Sequence, residues 1–325
     1  DFDPHRILEN GKLGPGQMIA VNLEEGQVWH DDEIKTELAQ QKPYGEWVRR
    51  GIHTLDIADS QNSATPVNAS VVSVPSPRML SIFGYTSEEV TVILRPMAEN
   101  GKEPDGSMGD DTPHAVFSHV HRPLHHYFKQ RFAQVTNPPI DHLREELVFS
   151  LTTRLGARPN LLAEAPEQAQ MIEQSSPILT DAQLARLKNL GAQHPQFRSV
   201  VLEMLFPATG PDALEPALES LCRQAEEAVD AGCTILILSD RGANAERAPI
   251  PALLATGAVH HHLLRAGKRA RTSLVVESGE PREVHHFATL IGYGAAAINP
   301  YLALAVAREL GNEANFIQAV EGGIK

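Results

Sequence analysis

Cysteine is nearly absent, with Cys222 and Cys233 the only two in 325 residues. They have no partner cysteines at metal-ligand spacing, which argues against a disulfide framework and against a cysteine-ligated cluster within this chain. A reducing compartment fits that usage. An excess of basic residues is also lacking: 28 Lys and Arg face 41 Asp and Glu, for a formal charge of −13. A surface of that sign repels nucleic acid and anionic membranes, so neither is expected as a partner. The one short basic stretch, Arg265 to Arg271, falls at a predicted helix end, where cations offset the negative end of the dipole. No apolar run approaches the roughly 20 residues that span a bilayer, and no secretory or transit pattern opens the chain. An initiator Met is missing, and the sequence stops at Glu321-Gly-Gly-Ile-Lys325 without a terminal motif. These ends read as boundaries inside a longer protein, so residues outside the segment are expected to carry chemistry.

What is present is ordinary globular composition, 42% hydrophobic and 21% charged, enough for a sizeable core. The length allows about two domains or one large α/β domain. Residues 18–22 read as a short strand and 27–29 as its hairpin partner, and Asp31-Asp32-Glu33 opens a helix with acids at its positive end. Residues 56–78, rich in Ser, Asn, Pro and Val, read as a connector. The capping box Thr86-Ser-Glu-Glu89 starts a helix to about residue 98, and 101–113 is a loop. A helix over about 123–133 is then broken by Thr136-Asn-Pro-Pro139, and another begins near Asp141.

From residue 177 the pattern is regular. Strands are predicted at 177–179, 199–205, 234–238, 273–276 and 295–298. The helices between them start at Thr180, Asp212, Pro251, Pro281 and Pro300, and several end on Gly232, Gly267 or Gly311. Continuous apolar strands alternating with amphipathic helices specify an α/β fold with a parallel sheet. Pattern alone leaves an open doubly wound sheet and a (β/α) barrel equally allowed.

In either architecture, ligands meet the C-terminal ends of the strands. Those ends carry Ser239-Asp-Arg-Gly242, Glu277-Ser-Gly-Glu280 and Asn299, which suit a binding rim or a set of caps and turns. The one Gly-x-Gly, Gly292-Tyr293-Gly294, follows a helix and precedes a strand, on the opposite side from a phosphate cradle, and there is no Walker motif. Among fifteen histidines, His260-His261-His262 and His285-His286 point in successive directions on helices and form no ligand pair. His119-x-His121 shares a strand face, and His121 and His125 lie one helical turn apart, so a metal-dependent barrel hydrolase built around His119 and His121 is the alternative function. Gly106-Ser107-Met108-Gly109 is no nucleophile elbow, and Asp110-Asp111 and Glu145-Glu146 read as solvated or capping carboxylates.

Several stretches taken together resemble the large chain of glutamate synthase. They are Arg95-Pro-Met-Ala-Glu-Asn-Gly-Lys-Glu103, Gly106-Ser-Met-Gly-Asp-Asp-Thr-Pro113, and Tyr127-Phe-Lys-Gln130 running on to Phe132-Ala-Gln-Val-Thr-Asn-Pro-Pro-Ile-Asp141. Ile237-Leu-Ser-Asp-Arg241, Glu277-Ser-Gly-Glu280, His285-His286 and Gly292-Tyr-Gly294 through Asn299-Pro-Tyr-Leu302 follow in order. Gly14-Pro-Gly-Gln-Met18 resembles the exit of that family's glutaminase domain.

The resemblance implies a rudimentary (β/α) barrel with a mainly helical, loop-rich N-terminal half. Residues 1–55 would be the edge of an amidotransferase domain and its lead-out, and 56–325 the central, connecting domain. The parent enzyme it implies converts glutamine, 2-oxoglutarate and reductant to two glutamates, using FMN and a 3Fe–4S cluster, in the cytoplasm or a plastid stroma. Position 1 is Asp rather than a catalytic cysteine, and the cluster cysteines and FMN stretch are absent. No catalytic, cofactor or metal residue, and no independent turnover, is therefore expected here. The implied partners are the amidotransferase and FMN-binding domains of the same chain. Ammonia passed between them must stay neutral and out of bulk water, which asks for hydroxyl and amide groups. Gln134, Thr136 and Asn137, stiffened by Pro138 and Pro139, are the expected lining.

Overall fold

The computed structural model describes residues 3–55, 75–104, 109, 112–113, 115–118, 122–129 and 148–325. They fall into two compact units, Asp1–Gly51 and Ile52–Lys325.

In the first unit the predicted hairpin forms, with β1 (Ala20–Asn22) antiparallel to β2 (Gln27–Trp29). The Asn22 side chain accepts from the Glu24 and Glu25 amides and Gly26 takes a left-handed φ of 68°, so the turn closes on local chemistry. Helix α1 (Asp31–Gln40) begins at the acidic triplet, where the Glu33 carboxylate accepts the His30 amide at 2.9 Å. Helix α2 (Tyr44–Gly51) follows. No hydrophobic side chain of this unit is fully buried among the described residues.

The second unit begins with β3 (Ile52–Thr54). Helix α3 (Pro77–Ile82) opens with Ser76 capping Met79, inside the end of what the composition suggests is a connector; residues 56–74 lie outside the described part. Helix α4 runs through Ser87–Glu89, Val90–Leu94 and Arg95–Asn100. The Thr86 capping box forms as expected. The middle stretch is a π turn in which the Arg95 amide reaches back to the Val90 carbonyl. Pro96 supplies the reason: it has no N–H to donate, and its ring crowds the carbonyl four residues back.

Over the described residues 123–129, the expected helix over 123–133 is not what forms. Leu124–Tyr127 is a single 3-10 turn, and Phe128 is already extended at φ −110°, ψ 140°. The break near Thr136 and the helix from Asp141 lie outside the described residues.

Strands β4 (Thr153–Leu155) and β5 (Met171–Gln174) join β3 in a three-stranded sheet, parallel between β3 and β5 and antiparallel between β4 and β5. The sequence pattern did not signal these short strands. Helix α5 (Asp181–Asn189) is capped by Thr180 and Gln183 as predicted. Residues 177–179 make only one isolated bridge, Ile178 to Ile298, instead of a strand. The predicted strand over 199–205 is two, β6 (Ser199–Glu203) and β7 (Leu205–Pro207), because the chain leaves the parallel ladder after Met204 and pairs antiparallel with Arg247–Pro249.

Helix α6 (Leu214–Asp230) follows a 3-10 turn, Pro211–Ala213, so Asp212 lies within that turn rather than capping the helix. Gly232, at φ 86°, reverses the chain after it. Then come β8 (Ile235–Ser239), β9 (Arg247–Pro249), α7 (Ala252–Arg265), β10 (Ser273–Glu277), α8 (Val284–Gly292), β11 (Ala295–Asn299), α9 (Tyr301–Leu310) and α10 (Glu313–Ile324). Helix α8 starts three residues after Pro281, with Glu283 at its N-cap position.

The strands β6, β8, β10 and β11 form one parallel sheet in that spatial order, each beside its neighbour in sequence. Side chains alternate across it. Leu236, Leu238, Leu274, Val276 and Ile298 face a cluster completed by Leu221 and Val229 of α6, Val259 and Leu263 of α7, and Phe287 and Leu290 of α8. Met97 of α4 and Phe316 of α10 extend the same cluster. Ile235, Ile237, Val275 and Ala297 face the other way, onto Leu184 and Leu187 of α5, Leu155, Ile172 and Phe197. The crossover helices α6, α7 and α8 therefore all cover one face, so consecutive strands wind in one sense. Antiparallel β7 and β9 lie beyond the carboxyl ends of β6 and β8.

Candidate functional site

The carboxyl ends of the parallel strands hold a buried polar lattice rather than an open rim. Asp240, one residue past β8, is 1% exposed. Its carboxylate accepts from Ser278 Oγ at 2.5 Å, the Gly279 amide at 3.0 Å and Tyr301 Oη at 2.9 Å. Burial outweighs these three donors and pushes the Asp240 carboxyl up to about 7. Tyr85 donates to the Gly279 carbonyl at 2.9 Å and sits under the Arg282 guanidinium, 4.5 Å from ring centre to Cζ.

Beside it, Glu277 at the end of β10 is also buried, held by Lys188 at 2.7 Å and Arg241 at 2.6 Å. These hydrogen-bonded cations hold the Glu277 carboxyl below its ordinary value despite the burial that opposes them. Arg241 continues to Asp181, which also takes Arg308 at 3.0 Å and the Asn299 amide at 3.2 Å. Each cation is thus matched by a carboxylate. Sequence reasoning placed Asp240, Arg241, Glu277, Ser278 and Asn299 together correctly. It missed Asp181, Lys188, Tyr301 and Arg308, which arrive from helices with no strand-end signal.

A second polar cluster forms where the Leu124–Tyr127 turn meets α8. His125 is fully buried, with Nδ1 2.6 Å from Thr289 Oγ1. The Thr289 hydroxyl donates onward to the His286 carbonyl at 2.9 Å, so the network assigns the His125 proton to Nδ1. Its Nε2 has no hydrogen-bond partner and faces Glu280 at 3.9 Å. Burial drives His125 down to about 3 and holds Glu280 above its usual range. His286 stacks on His125 at 4.6 Å between ring centres, and its Nε2 is 3.4 Å from His126 Nε2. Arg282, 1% exposed, is bound by Glu89 at 2.8 Å and by the Phe83, Gly84 and Glu280 carbonyls.

The other flagged residues have packing roles. Gly294 has a φ of 112°, and a Cβ there would lie 2.1 Å from His260 Nδ1. Its carbonyl accepts from Arg269 at 2.8 Å, which gives the Gly-x-Gly a close-packing role. Among the helical histidines, His260 accepts from Arg269 and His262 pairs with Glu226 at 2.7 Å. The basic stretch is neutralised across helices: Lys268 bridges Glu226 and Asp230, and Arg271 reaches Asp230. Cys222 and Cys233 are both buried free thiols. A shallow groove of about 370 Å³ lies between α3 and the loop after β8, lined by Arg78, Met79, Asn244 and Glu246 among others. Gln134, Thr136, Asn137, His119, His121, Asp110-Asp111 and Glu145-Glu146 lie outside the described residues.

A parallel sheet wound in one sense, with a buried ion lattice at its strand ends, defines an α/β domain. Residues 78–325 match the model of the glutamate synthase central domain, and residues 1–47 match that of the class-II glutamine amidotransferases. The chain belongs to the glutamate synthase central domain family. It is 46% identical over 93% of its length to ferredoxin-dependent glutamate synthase 2 of Synechocystis sp., of which it covers 19%. It is 44% identical over 93% of its length to the NADPH glutamate synthase large chain of Azospirillum brasilense, covering 20%. The chloroplastic ferredoxin-dependent enzyme of Spinacia oleracea is 43% identical over 95% of this chain, which covers 19% of it. The chain therefore spans about a fifth of the length of these relatives. No helix among the described residues is long and apolar enough to cross a membrane.

Proposed function

We propose that this chain is the connecting segment of a glutamate synthase, joining a glutaminase domain to an FMN-binding synthase domain in a cytoplasmic or plastid enzyme. One observation carries the reading: an amidotransferase match at 1–47 and a central-domain match at 78–325 lie in that order in one chain. The single-sense winding of β6, β8, β10 and β11 supports a rudimentary (β/α) barrel as its core.

Among the described residues, those at the strand ends do not fit the parent cofactors. Lys188, Arg241 and Arg308, the cations at the strand ends, are engaged by Glu277, Asp181 and Glu313 rather than turned to a flavin phosphate. Two buried cysteines are too few to ligate an iron–sulfur cluster. In this reading FMN and the 3Fe–4S cluster belong to other domains, and the segment contributes rigidity and a conduit. Ammonia moving between two active sites needs a path of neutral donors and acceptors. Gln134, Thr136 and Asn137 offer amide and hydroxyl groups beside two prolines that restrict the backbone.

The test is Thr136→Val in a full-length enzyme, comparing glutamine-dependent with ammonia-dependent glutamate formation. The expected result is a several-fold fall in the glutamine-dependent rate with the ammonia-dependent rate kept. An unchanged ratio of the two rates sinks the conduit role.

A further inference from the structure

Three ligand atoms converge where the 3-10 turn of His126 meets the start of α8. His126 Nε2 is 3.4 Å from His286 Nε2. Glu283 Oε2 is 3.7 Å from His286 Nε2 and 4.0 Å from His126 Nε2. No other group of three or more such side chains among the described residues comes this close together. We propose that His126, Glu283 and His286 form a binding site for a divalent transition cation, zinc foremost, which pins the 122–129 segment to α8.

The geometry carries this first. An ion at the centre of that triangle would stand roughly 2.1 Å from all three atoms, within the span of zinc–imidazole and zinc–carboxylate bonds. Two imidazoles and one carboxylate select zinc and its transition-metal neighbours over calcium or magnesium, which prefer oxygen. His286 is fully buried, while His126 and Glu283 keep 19% and 23% side-chain exposure, so one side is open for a water ligand.

The elements hold the atoms in place. Glu283 is the N-cap residue of α8 and His286 lies in its first turn, with the His286 amide donating to the Glu283 carbonyl at 2.9 Å. His126 comes from 160 residues earlier, and its turn is fixed by His285 donating to the His125 carbonyl at 3.0 Å.

The metal-free state is also defined. The Arg282 amide donates to His286 Nδ1 at 3.3 Å, which places the His286 proton on Nε2, between the two imidazoles. A cation takes the place of that proton. The proton moves to Nδ1 at the expense of the long Arg282 contact, so the imidazole ligates in its neutral form. The inference rests on these side chains alone and stands apart from the ammonia-conduit reading.

The experiment uses the full 325-residue chain, stripped with a chelator and titrated with Co²⁺ alone, then with Zn²⁺ as competitor. Visible ligand-field bands and elemental analysis report binding. One equivalent per chain is expected, with affinity reduced at least about tenfold in His126→Ala and in Glu283→Gln. His262→Ala, which removes a histidine paired to Glu226 on another face, and the double variant His119→Ala/His121→Ala should bind as the parent does. Glu283→Gln keeps the side-chain shape, and circular dichroism verifies its fold, so that variant decides the matter if His126→Ala does not fold. The proposal is overturned by absence of saturable binding, by unchanged affinity in Glu283→Gln, or by loss of the ion in the His119/His121 variant instead.

Discussion

Val21 and Ile237 are both β-branched residues in the middle of short strands, yet they are 57% and 0% exposed. The first lies on a two-stranded hairpin in the Asp1–Gly51 unit, where no apolar side chain among the described residues is fully buried. The second lies on β8, hydrogen-bonded to β6 and β10, with apolar clusters on both faces of the sheet. The strand chemistry is alike; the supply of covering layers differs. A three-residue hairpin without a third layer is marginal by itself, whereas a sheet covered on both faces excludes water from whole side chains. The larger unit extends this to charge, since Asp240, Glu277 and Arg282 are all buried there with partners. The comparison thus predicts where substitutions will be felt.

The largest effect is expected at Arg282. Its side chain satisfies Glu89 and three backbone carbonyls while 1% exposed. Arg282→Met keeps the apolar stem and leaves Glu89 and those carbonyls without their donor. A loss of about 3–5 kcal/mol in urea unfolding is expected, the cost of breaking a buried pair from one side. A change below about 1 kcal/mol would remove the claim that burial makes this unit's polar groups interdependent.

An intermediate effect, and one with a sign, is expected at Asp240. Its folded carboxyl is raised to about 7, against about 3.9 for an unfolded chain. The folded state therefore binds the proton more tightly. The stability from this group is fully present below pH ~4 and is lost as pH rises from there to about 7. Asp240→Asn removes that titration. The difference in unfolding midpoint between parent and variant should shift against the parent as pH goes from 5 to 7.5, with other groups cancelling in the comparison. A difference independent of pH would mean that the Ser278, Gly279 and Tyr301 donors hold Asp240 ionised throughout.

The division between what was legible and what was not follows the same line. The strands β8, β10 and β11 announce themselves because both faces are covered and the sequence is continuously apolar, as in Ile235-Leu-Ile-Leu238. Their one-residue-past-the-end positions, Asp240 and Ser278, follow from that register. Strands β3, β4 and β5 have three or four residues each with mixed polarity, His53 and Glu173 among them, and the β3–β5 pairing spans more than a hundred positions. No local period marks such strands. The turn at His125 was read as part of a helix rich in His and aromatic residues. The chain leaves that turn at Phe128, which packs edge-on against Tyr293. Glu283 and His286 were not read as a pair, since only the adjacent His285-His286 was weighed, and the third member, His126, is brought in by tertiary structure alone.

The smallest effect belongs to the hairpin, and it tests the opening contrast from its weak side. Val21→Ala removes two methyl groups from a side chain that is 57% exposed, opposite Val28 in a two-stranded hairpin. Little apolar area returns to water, and no cavity can form where no layer covers the residue. The expected change in stability of the 325-residue chain is within about 0.5 kcal/mol. Ile237→Ala, on a side chain that is 0% exposed, should cost about 2–5 kcal/mol in the same unfolding measurement. The sharper measurement is hydrogen exchange. The Val21 and Val28 amides should exchange by local opening, unaffected by Ile237→Ala, while the β8 amides should lose protection by the full destabilisation. If Ile237→Ala accelerated exchange in both places equally, the hairpin would open only with the larger unit. The two regions would then share one cooperative transition despite their different packing.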